Sequence, residues 1–316
     1  MFLDVDKKKW LSDRFKASVK FDEPMSRHTS FRVGGPAKVF VKPKSFDDLS
    51  SLVRWAIDNK IPYMIIGSGT NILVKDKGIQ AIIISLASCF NEISITGREK
   101  DKVVVTAGAG TKLHSLCSFA IKNFLGGMNF ALGIPGTTGG AVMMNAGTAH
   151  GTISSVLHEI TILQQNGKRK TITRKEIKSE YRQLTFTKKG AEFSRENIII
   201  LDSSFLLDTC SDLNLKKEAD LIMAEREKRQ PTNLPSAGCF FKNPDSNTPA
   251  ARLIDTAGLK GTVKGGAMIS PKHANFIINV KNSSAADILA LSEIIHKQVK
   301  NKFNIKLVPE VIIVGE

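Results

Sequence analysis

Apolar side chains along this chain follow two different rhythms, and the change falls near its middle. Residues 37–42, Ala-Lys-Val-Phe-Val-Lys, alternate in the period-two manner of a strand. Between residues 45 and 59 the apolar positions Leu49, Leu52, Val53, Ala56 and Ile57 share one helical face. Ser45 precedes that face with Asp48 three residues on, so it is read as the N-cap. The continuous apolar run at 62–66 predicts a buried strand. Further strands are predicted at 79–84 and 103–106, and a helix at 111–123. This first part reads as α/β alternation.

Beyond residue 147 the pattern changes. Apolar alternation at 157–163 and 170–173 flanks Asn166-Gly167, a strong hairpin signal. Residues 197–207 read as a strand and 213–229 as a helix closed by Pro231 and Pro235. That proline-bounded stretch marks a domain boundary. A smaller α+β unit follows, with a helix at 248–257, a strand at 275–280 and an amphipathic helix at 285–303. A last apolar run at 311–314 is expected to pair back elsewhere. There is no internal repeat and no low-complexity segment.

Two glycine-rich loops carry the chemistry-bearing pattern. Residues 133–147 read Gly-Ile-Pro-Gly-Thr-Thr-Gly-Gly-Ala-Val-Met-Met-Asn-Ala-Gly, with too many glycines for a packed helix and too few charges for a linker. The shorter loop, Gly67-Ser-Gly-Thr-Asn71, follows the predicted strand at 62–66. Glycine lets backbone amides approach a ligand closely and adopt positive φ. Amides turned the same way make a concave anion site without any lysine. Two such cradles predict a ligand with more than one phosphate. The shorter loop begins like the dinucleotide fingerprint, but Ile72 stands where its third glycine belongs, and no P-loop sequence occurs.

The formal net charge of +15 invites a nucleic-acid reading. The bases are scattered, however. Lys7, Lys8, Lys9, Arg14, Lys16 and Lys20 lie near the start, Lys168, Arg169, Lys170, Arg174 and Lys175 near the hairpin, and Arg226, Lys228 and Arg229 at a helix end. Each cluster is read as a solvated face. With two tryptophans and two tyrosines there is little for base stacking, so no nucleic-acid partner is expected. A basic field also draws small anions, nucleotides among them. No apolar run approaches the roughly 20 residues of a spanning helix, and residues 1–10 lack the apolar core of a signal peptide. The expectation is a cytoplasmic protein with no membrane partner.

Four cysteines, Cys89, Cys117, Cys210 and Cys239, are spaced too widely for a zinc pattern and are read as reduced thiols. The first three are expected in the core as small apolar residues. No metal is expected.

Several pieces, in order along the chain, resemble the UDP-N-acetylenolpyruvoylglucosamine reductase family. They are His28-Thr-Ser-Phe-Arg-Val-Gly-Gly35, the two glycine loops, Tyr181-Arg182, Ser236-Ala-Gly-Cys-Phe-Phe-Lys-Asn-Pro244, His273-Ala-Asn-Phe-Ile-Ile-Asn279 and Pro309-Glu-Val311. The resemblance implies an α+β fold: a two-lobed FAD-binding domain of the vanillyl-alcohol-oxidase type plus a smaller α+β substrate-binding domain. The lobes would cover 1–86 and 87–212 and the substrate domain 213–305, with 306–316 returning to the first lobe. It also implies non-covalent FAD, NADPH as co-substrate, a UDP-sugar enol ether as substrate, and a monomer. FAD would be held by Gly67, Ser68, Gly69, Thr70, Asn71 and Ile72, and by Gly133, Ile134, Pro135, Gly136, Thr137, Thr138, Gly139, Gly140, Asn145, Ala146 and Gly147.

The same resemblance supplies three catalytic expectations. Arg182 would grip the substrate carboxylate, because a guanidinium holds two oxygens in one plane. Glu310 would polarise the enol, with its pKa raised by the neighbouring carboxylate. Cys239 would donate the proton, at a position where the family commonly has serine. An ordinary thiol titrates near ~8.5 and is a far stronger acid than a hydroxyl; Ser236 is the backup donor. Tyr181, Arg229, Asn243 and His273 are expected to bind the UDP sugar. Leu184 departs from the small hydroxyl residue often found two positions after this arginine. The segment between Arg182 and Cys239 is too short for the tyrosine-bearing lid of one family branch, so the other branch is implied. Two rivals share part of the pattern: another flavoprotein of the same fold, which needs no Cys239–Glu310 pair, and a basic nucleotide-binding protein without catalysis.

Overall fold

Asn166-Gly167 does form a hairpin. In the computed structural model Leu157–Leu163 pairs antiparallel with Arg169–Thr173, from Glu159 opposite Thr173 to Leu163 opposite Arg169. Gly167 takes φ 82°, and Asn166 Oδ1 accepts the Lys168 N–H at 3.0 Å. The described residues are 3–87, 89–188, 191–192, 198–210, 212–245 and 247–316. The predicted strand start at Asn197 lies outside them; the strand runs Ile199–Thr209.

The chain divides into two units. The first comprises Met1–Lys20, Val39–Ser68 and Ala81–Ala224; the second comprises Phe21–Lys38, Gly69–Gln80 and Glu225–Glu316. Four of the five cuts fall inside the strands Val19–Pro24, Pro36–Val41 and Ile79–Ser85 and inside the helix Asp212–Arg229; the fifth, between Ser68 and Gly69, divides the short glycine loop.

In the first unit a six-stranded sheet has the order Arg169–Thr173, Leu157–Leu163, Ile199–Thr209, Lys102–Gly108, Ile93–Glu99, with Leu125–Gly126 beside the end of Ile199–Thr209. All of its pairings are antiparallel. The expected α/β alternation survives around Tyr63–Ile66, which runs parallel to Ile79–Ser85 with Tyr63 opposite Ile82. The helix before it, Phe46–Asp58, is capped by Ser45, whose hydroxyl accepts the Asp48 N–H at 3.1 Å. It buries Leu49, Leu52, Val53 and Ala56. The fold as a whole is α+β.

Among the elements left unread in the sequence are two helices. Val5–Phe15 is a helix despite its three consecutive lysines. Asp4 caps it, Leu11 and Phe15 are buried, and Trp10 stacks on Trp55 with ring centroids 4.3 Å apart. Inside the glycine run Thr138–Met143 is a short helix capped by Thr137, so the judgement that this run is too glycine-rich for a helix is corrected. Its glycines serve close approach. A Cβ on Gly139 would stand 2.8 Å from Ala109 Cβ.

The second unit is built around the helix Ala285–Phe303. Its buried positions Ala285, Ile288, Leu291, Ile295 and Val299 face a core that includes Phe31, Leu73, Phe240, Phe241 and Leu307. Ser284 and Asp287 form a capping box, and Asn304 ends the helix in the left-handed region at φ 54°. Asp76 adds two bonds at the start, accepting the N–H groups of Ala285 and Ala286 at 2.8 and 2.9 Å. Ile312–Val314 lies parallel to Ile72–Val74. A three-stranded sheet, Val263–Lys264, Ala267–Ile269 and Ile277–Asn279, completes the unit. Ser284→Ala removes the hydroxyl half of the box and is expected to lower stability by about 1 kcal/mol, read as a lower denaturation midpoint with an unchanged slope.

Candidate active site

The first unit brings the start of the short glycine loop onto the long one. A Cβ at Gly67 would lie 2.2 Å from Thr137 Oγ1, so only glycine allows this approach. Thr137 is nearly fully buried, and its backbone bridges to Lys112. Several amides of the long loop are already engaged. Thr138 N–H donates to Thr111 O at 2.8 Å, Gly139 N–H to Ala109 O at 3.0 Å, and Ile134 N–H to Ala131 O at 3.1 Å. Among the described residues, no partner stands opposite the N–H groups of Gly67, Ser68, Gly136 or Thr137. These four donors are the free part of the cradle.

Arg182 sits at a two-residue hairpin tip. Glu180 pairs with Gln183 across Ile177–Glu180 and Gln183–Lys188, which leaves Tyr181 and Arg182 to make the turn. Arg182 holds φ 58°, a left-handed conformation that costs a non-glycine residue on the order of 1–3 kcal/mol. Its Nη1 donates to Gly147 O at 2.9 Å, and its guanidinium lies 5.4 Å from the centre of the half-exposed Tyr181 ring. Leu184 is fully buried, so polar support for Arg182 comes from Gly147 instead of from that position. Asn145 holds the base of the same hairpin, donating from Nδ2 to Glu180 O at 2.9 Å.

In the second unit Cys239 and Glu310 lie on adjoining segments. Cys239 bridges to Phe276, Phe240 N–H donates to Asn275 O at 2.7 Å, and Glu310 N–H donates to Phe240 O at 2.8 Å. Asn71 Nδ2 donates to Glu310 O at 3.2 Å, and Asn71 O accepts the Ile312 N–H at 3.0 Å. Gly69 presses on the His28 carbonyl so closely that no Cβ fits, and Gly69 O accepts the Ser30 N–H at 3.0 Å. Gly238 at φ 76° turns the chain into Cys239, which is half-buried.

The residues expected to bind the UDP sugar fall in different settings. Asn243 Oδ1 accepts the Ala250 N–H at 3.0 Å and so caps the helix Ala250–Thr256. Arg229 is exposed and paired with Glu225 at 3.0 Å. The His273 ring stands edge-on to Phe276 at 4.7 Å, with Nδ1 buried and unbonded. Burial pushes its pKa below the ordinary histidine value, which makes the ring neutral at neutral pH.

Arg226 was missed. The sequence reading put it on a solvated face, yet it is half-buried. Burial pushes its pKa down, and a charge on Cys239 pushes it back up, so the two groups lie within electrostatic reach. The only sequence signal was its place three residues before Arg229 on one helix. Cys210 also departs from expectation. It is exposed, because the strand Ile199–Thr209 ends just before it, whereas Cys89 and Cys117 are buried as expected.

A family model described as "FAD binding domain" matches residues 37–173 and spans both glycine loops. A second, described as "UDP-N-acetylenolpyruvoylglucosamine reductase, C-terminal domain", matches residues 230–314 and spans Cys239, Asn243, His273 and Glu310. A protein of Desulfosudis oleivorans named UDP-N-acetylenolpyruvoylglucosamine reductase is 39% identical over 99% of this chain and 100% of its own length. The chain belongs to the UDP-N-acetylenolpyruvoylglucosamine reductase family. A reductase of the same name from Clostridium novyi is 40% identical over 95% of this chain and 94% of its own. The solved UDP-N-acetylenolpyruvylglucosamine reductase of Thermus caldophilus superposes with a TM-score of 0.77 at 29% identity, covering 92% of this chain and 97% of that one.

Membership in this reductase family implies FAD, and the first unit fits it on its own evidence. Four unengaged backbone donors stand on two loops whose approach excludes a single Cβ. A diphosphate is the kind of anion such donors serve. Gly67→Ala forces an overlap that costs about 1–3 kcal/mol, so FAD affinity is expected to fall roughly 5- to 150-fold. The flavin-to-protein ratio of the purified variant measures this, with circular dichroism confirming its fold. Burial pushes both the Cys89 and the Cys117 thiol up to about 12. With an aromatic disulfide reagent at mildly alkaline pH, Cys210 and Cys239 are therefore expected to react in the native chain, and Cys89 and Cys117 only after denaturation.

Proposed function

We propose that this chain reduces UDP-N-acetylglucosamine enolpyruvate to UDP-N-acetylmuramate for peptidoglycan synthesis, with FAD as cofactor and NADPH as electron donor. Full-length relatives bearing the reductase name support this reading. The observation in this molecule that carries it is the junction of Cys239 with Glu310, whose N–H bonds the carbonyl of the residue after Cys239. A flavoprotein oxidase of similar fold has no need of that pair.

When bound, FAD would supply the hydride chemistry that links NADPH to C3 of the enolpyruvyl group. Gly67, Ser68, Gly136 and Thr137 would hold its diphosphate through their N–H groups. Negative charge then develops at C2 of the substrate and spreads onto the carboxylate. Arg182 stabilises this charge selectively, because its attraction grows as the carboxylate oxygens become more negative. The Cys239 Sγ–H delivers the proton to C2. Arg226 lies within electrostatic reach of the thiolate this would leave and is of opposite charge. Glu310 is assigned to polarising the enol. Tyr181, Asn243, His273 and Arg229 are assigned to binding the UDP sugar.

The reading further divides the chain into flavin lobes at 1–86 and 87–212 and a substrate part at 213–305. It describes a cytoplasmic monomer acting on small molecules, without nucleic acid or membrane. No helix among the described residues is long and apolar enough to cross a membrane.

The test is an anaerobic cycle. The purified chain should be yellow, bleach with NADPH and recolour with the enolpyruvyl substrate. Cys239→Ser should complete the cycle. Cys239→Ala should bleach at the native rate but recolour at least about 100-fold more slowly, since a positioned general acid contributes 10²–10⁴-fold. Native-rate recolouring of Cys239→Ala would remove Cys239 from the mechanism, and failure of the wild-type chain to recolour would remove the activity itself.

A further inference from the structure

The carboxamide of Asn145 is bonded at both ends. Nδ2 donates to Glu180 O at 2.9 Å, and Oδ1 accepts the Ser154 N–H at 3.0 Å. A carbonyl on one side and an N–H on the other leave one orientation for the group. Asn145 is 5% exposed and takes φ 42°, a left-handed conformation that asparagine tolerates better than most residues. Two residues on, Gly147 O accepts Nη1 of Arg182 at 2.9 Å. Gly147 admits no side chain, since a Cβ would meet Gly151 O at 2.5 Å. The Tyr181–Arg182 tip is thus fastened twice by one three-residue segment, at its base through Glu180 and at the guanidinium itself.

We propose that Asn145 is a positioning residue for Arg182, fixing the hairpin tip so that the guanidinium points where the substrate carboxylate binds. Its side chain does not serve the FAD phosphates. The inference deepens the proposed function and rests on the carboxylate-binding role of Arg182. The strained backbone of Arg182 gives the fastening its purpose. A left-handed arginine relaxes unless its surroundings hold it, and a relaxed tip moves a long side chain by more than the tolerance of a bidentate grip.

The test uses the full chain and separates the two half-reactions. Asn145→Asp keeps the size, the Oδ1 acceptor and the tolerance of positive φ, but places an anion against Glu180 O. Asn145→Gly keeps the backbone without strain and removes both bonds. Either variant should retain its flavin-to-protein ratio and bleach with NADPH within about twofold of wild type. Recolouring by the enolpyruvyl substrate should slow roughly 10- to 100-fold, the scale of a misplaced binding group. The same substitution in an Arg182→Lys background should change recolouring by less than about twofold, because contacting residues are not additive. Loss of flavin, equal slowing of both half-reactions, or additive losses in the double variant would each overturn the inference. Arg182→Lys recolouring at the native rate would overturn the role of Arg182, and the inference with it.

Discussion

A carboxamide bonded at both ends recurs beside the groups assigned to the chemistry. Asn145 ties Glu180 to Ser154 next to Arg182. Asn275 accepts the Phe241 N–H at 2.9 Å and donates to Phe241 O at 2.8 Å, holding the segment that carries Cys239. Asn71 differs: its carboxamide donates to Glu310 O, and it is its main-chain carbonyl that accepts from Ile312. The choice of asparagine follows from physics. Asn145 and Asn275 are buried, and an aspartate there would carry a charge that needs a cation, or a proton bound at a raised pKa. A carboxamide has a donor and an acceptor and no charge, so it satisfies a carbonyl and an amide at once without adding a field. The fields of Arg182 and Arg226 are therefore left undiluted by structural carboxylates at these positions.

The glycines do different work. Gly67 lets one loop rest on the Thr137 hydroxyl, and Gly139 lets a helix start against Ala109. Thr137 sits where these constraints meet. Its backbone bridges Lys112, its hydroxyl accepts the Gly140 N–H at 3.4 Å, and the same oxygen lies under Gly67. With Thr138 and Gly139 N–H groups committed to Thr111 and Ala109, the loop keeps its shape by internal bonds. Preorganisation of this kind means that a bound anion need not order the loop, so less binding energy is lost on arrival.

Much of the local structure was legible. The Ser45 cap, the Asn166-Gly167 hairpin and the helix Ala285–Phe303 follow from short-range signals that tertiary packing did not overrule. The helix Val5–Phe15 was not legible, because its apolar face is narrow and depends on Trp10 meeting Trp55, a contact between distant residues. The strand predicted at 275–280 shortens to Ile277–Asn279, since Asn275 turns its side chain onto Phe241 instead of continuing the ladder. The ordered motifs pointed to Arg182, Cys239 and Glu310, but not to what holds them. Arg226 looked like any other base at a helix end, since half-burial is a property of its neighbours. Cys210 looked like a core cysteine, because a strand's last residue and the next one differ little in sequence.

In the proposed mechanism the proton would come from a thiol instead of a hydroxyl, with Arg226 within electrostatic reach of it. A serine donor has a very weakly acidic hydroxyl and relies on the substrate anion being basic enough to take its proton. A thiol's ordinary pKa lies far nearer neutral pH than a hydroxyl's, and a cation within electrostatic reach favours the thiolate further. That gain is limited from the other side. If the field were too strong, the resting group would already be ionised and would have no proton to give. Arg226 is half-buried, and an ionised Cys239 offsets the penalty that burial places on its charge. The cation is thus best stabilised after the proton has left, when the thiolate is present, and least stabilised before. This ordering favours the step forward without requiring a thiolate at rest.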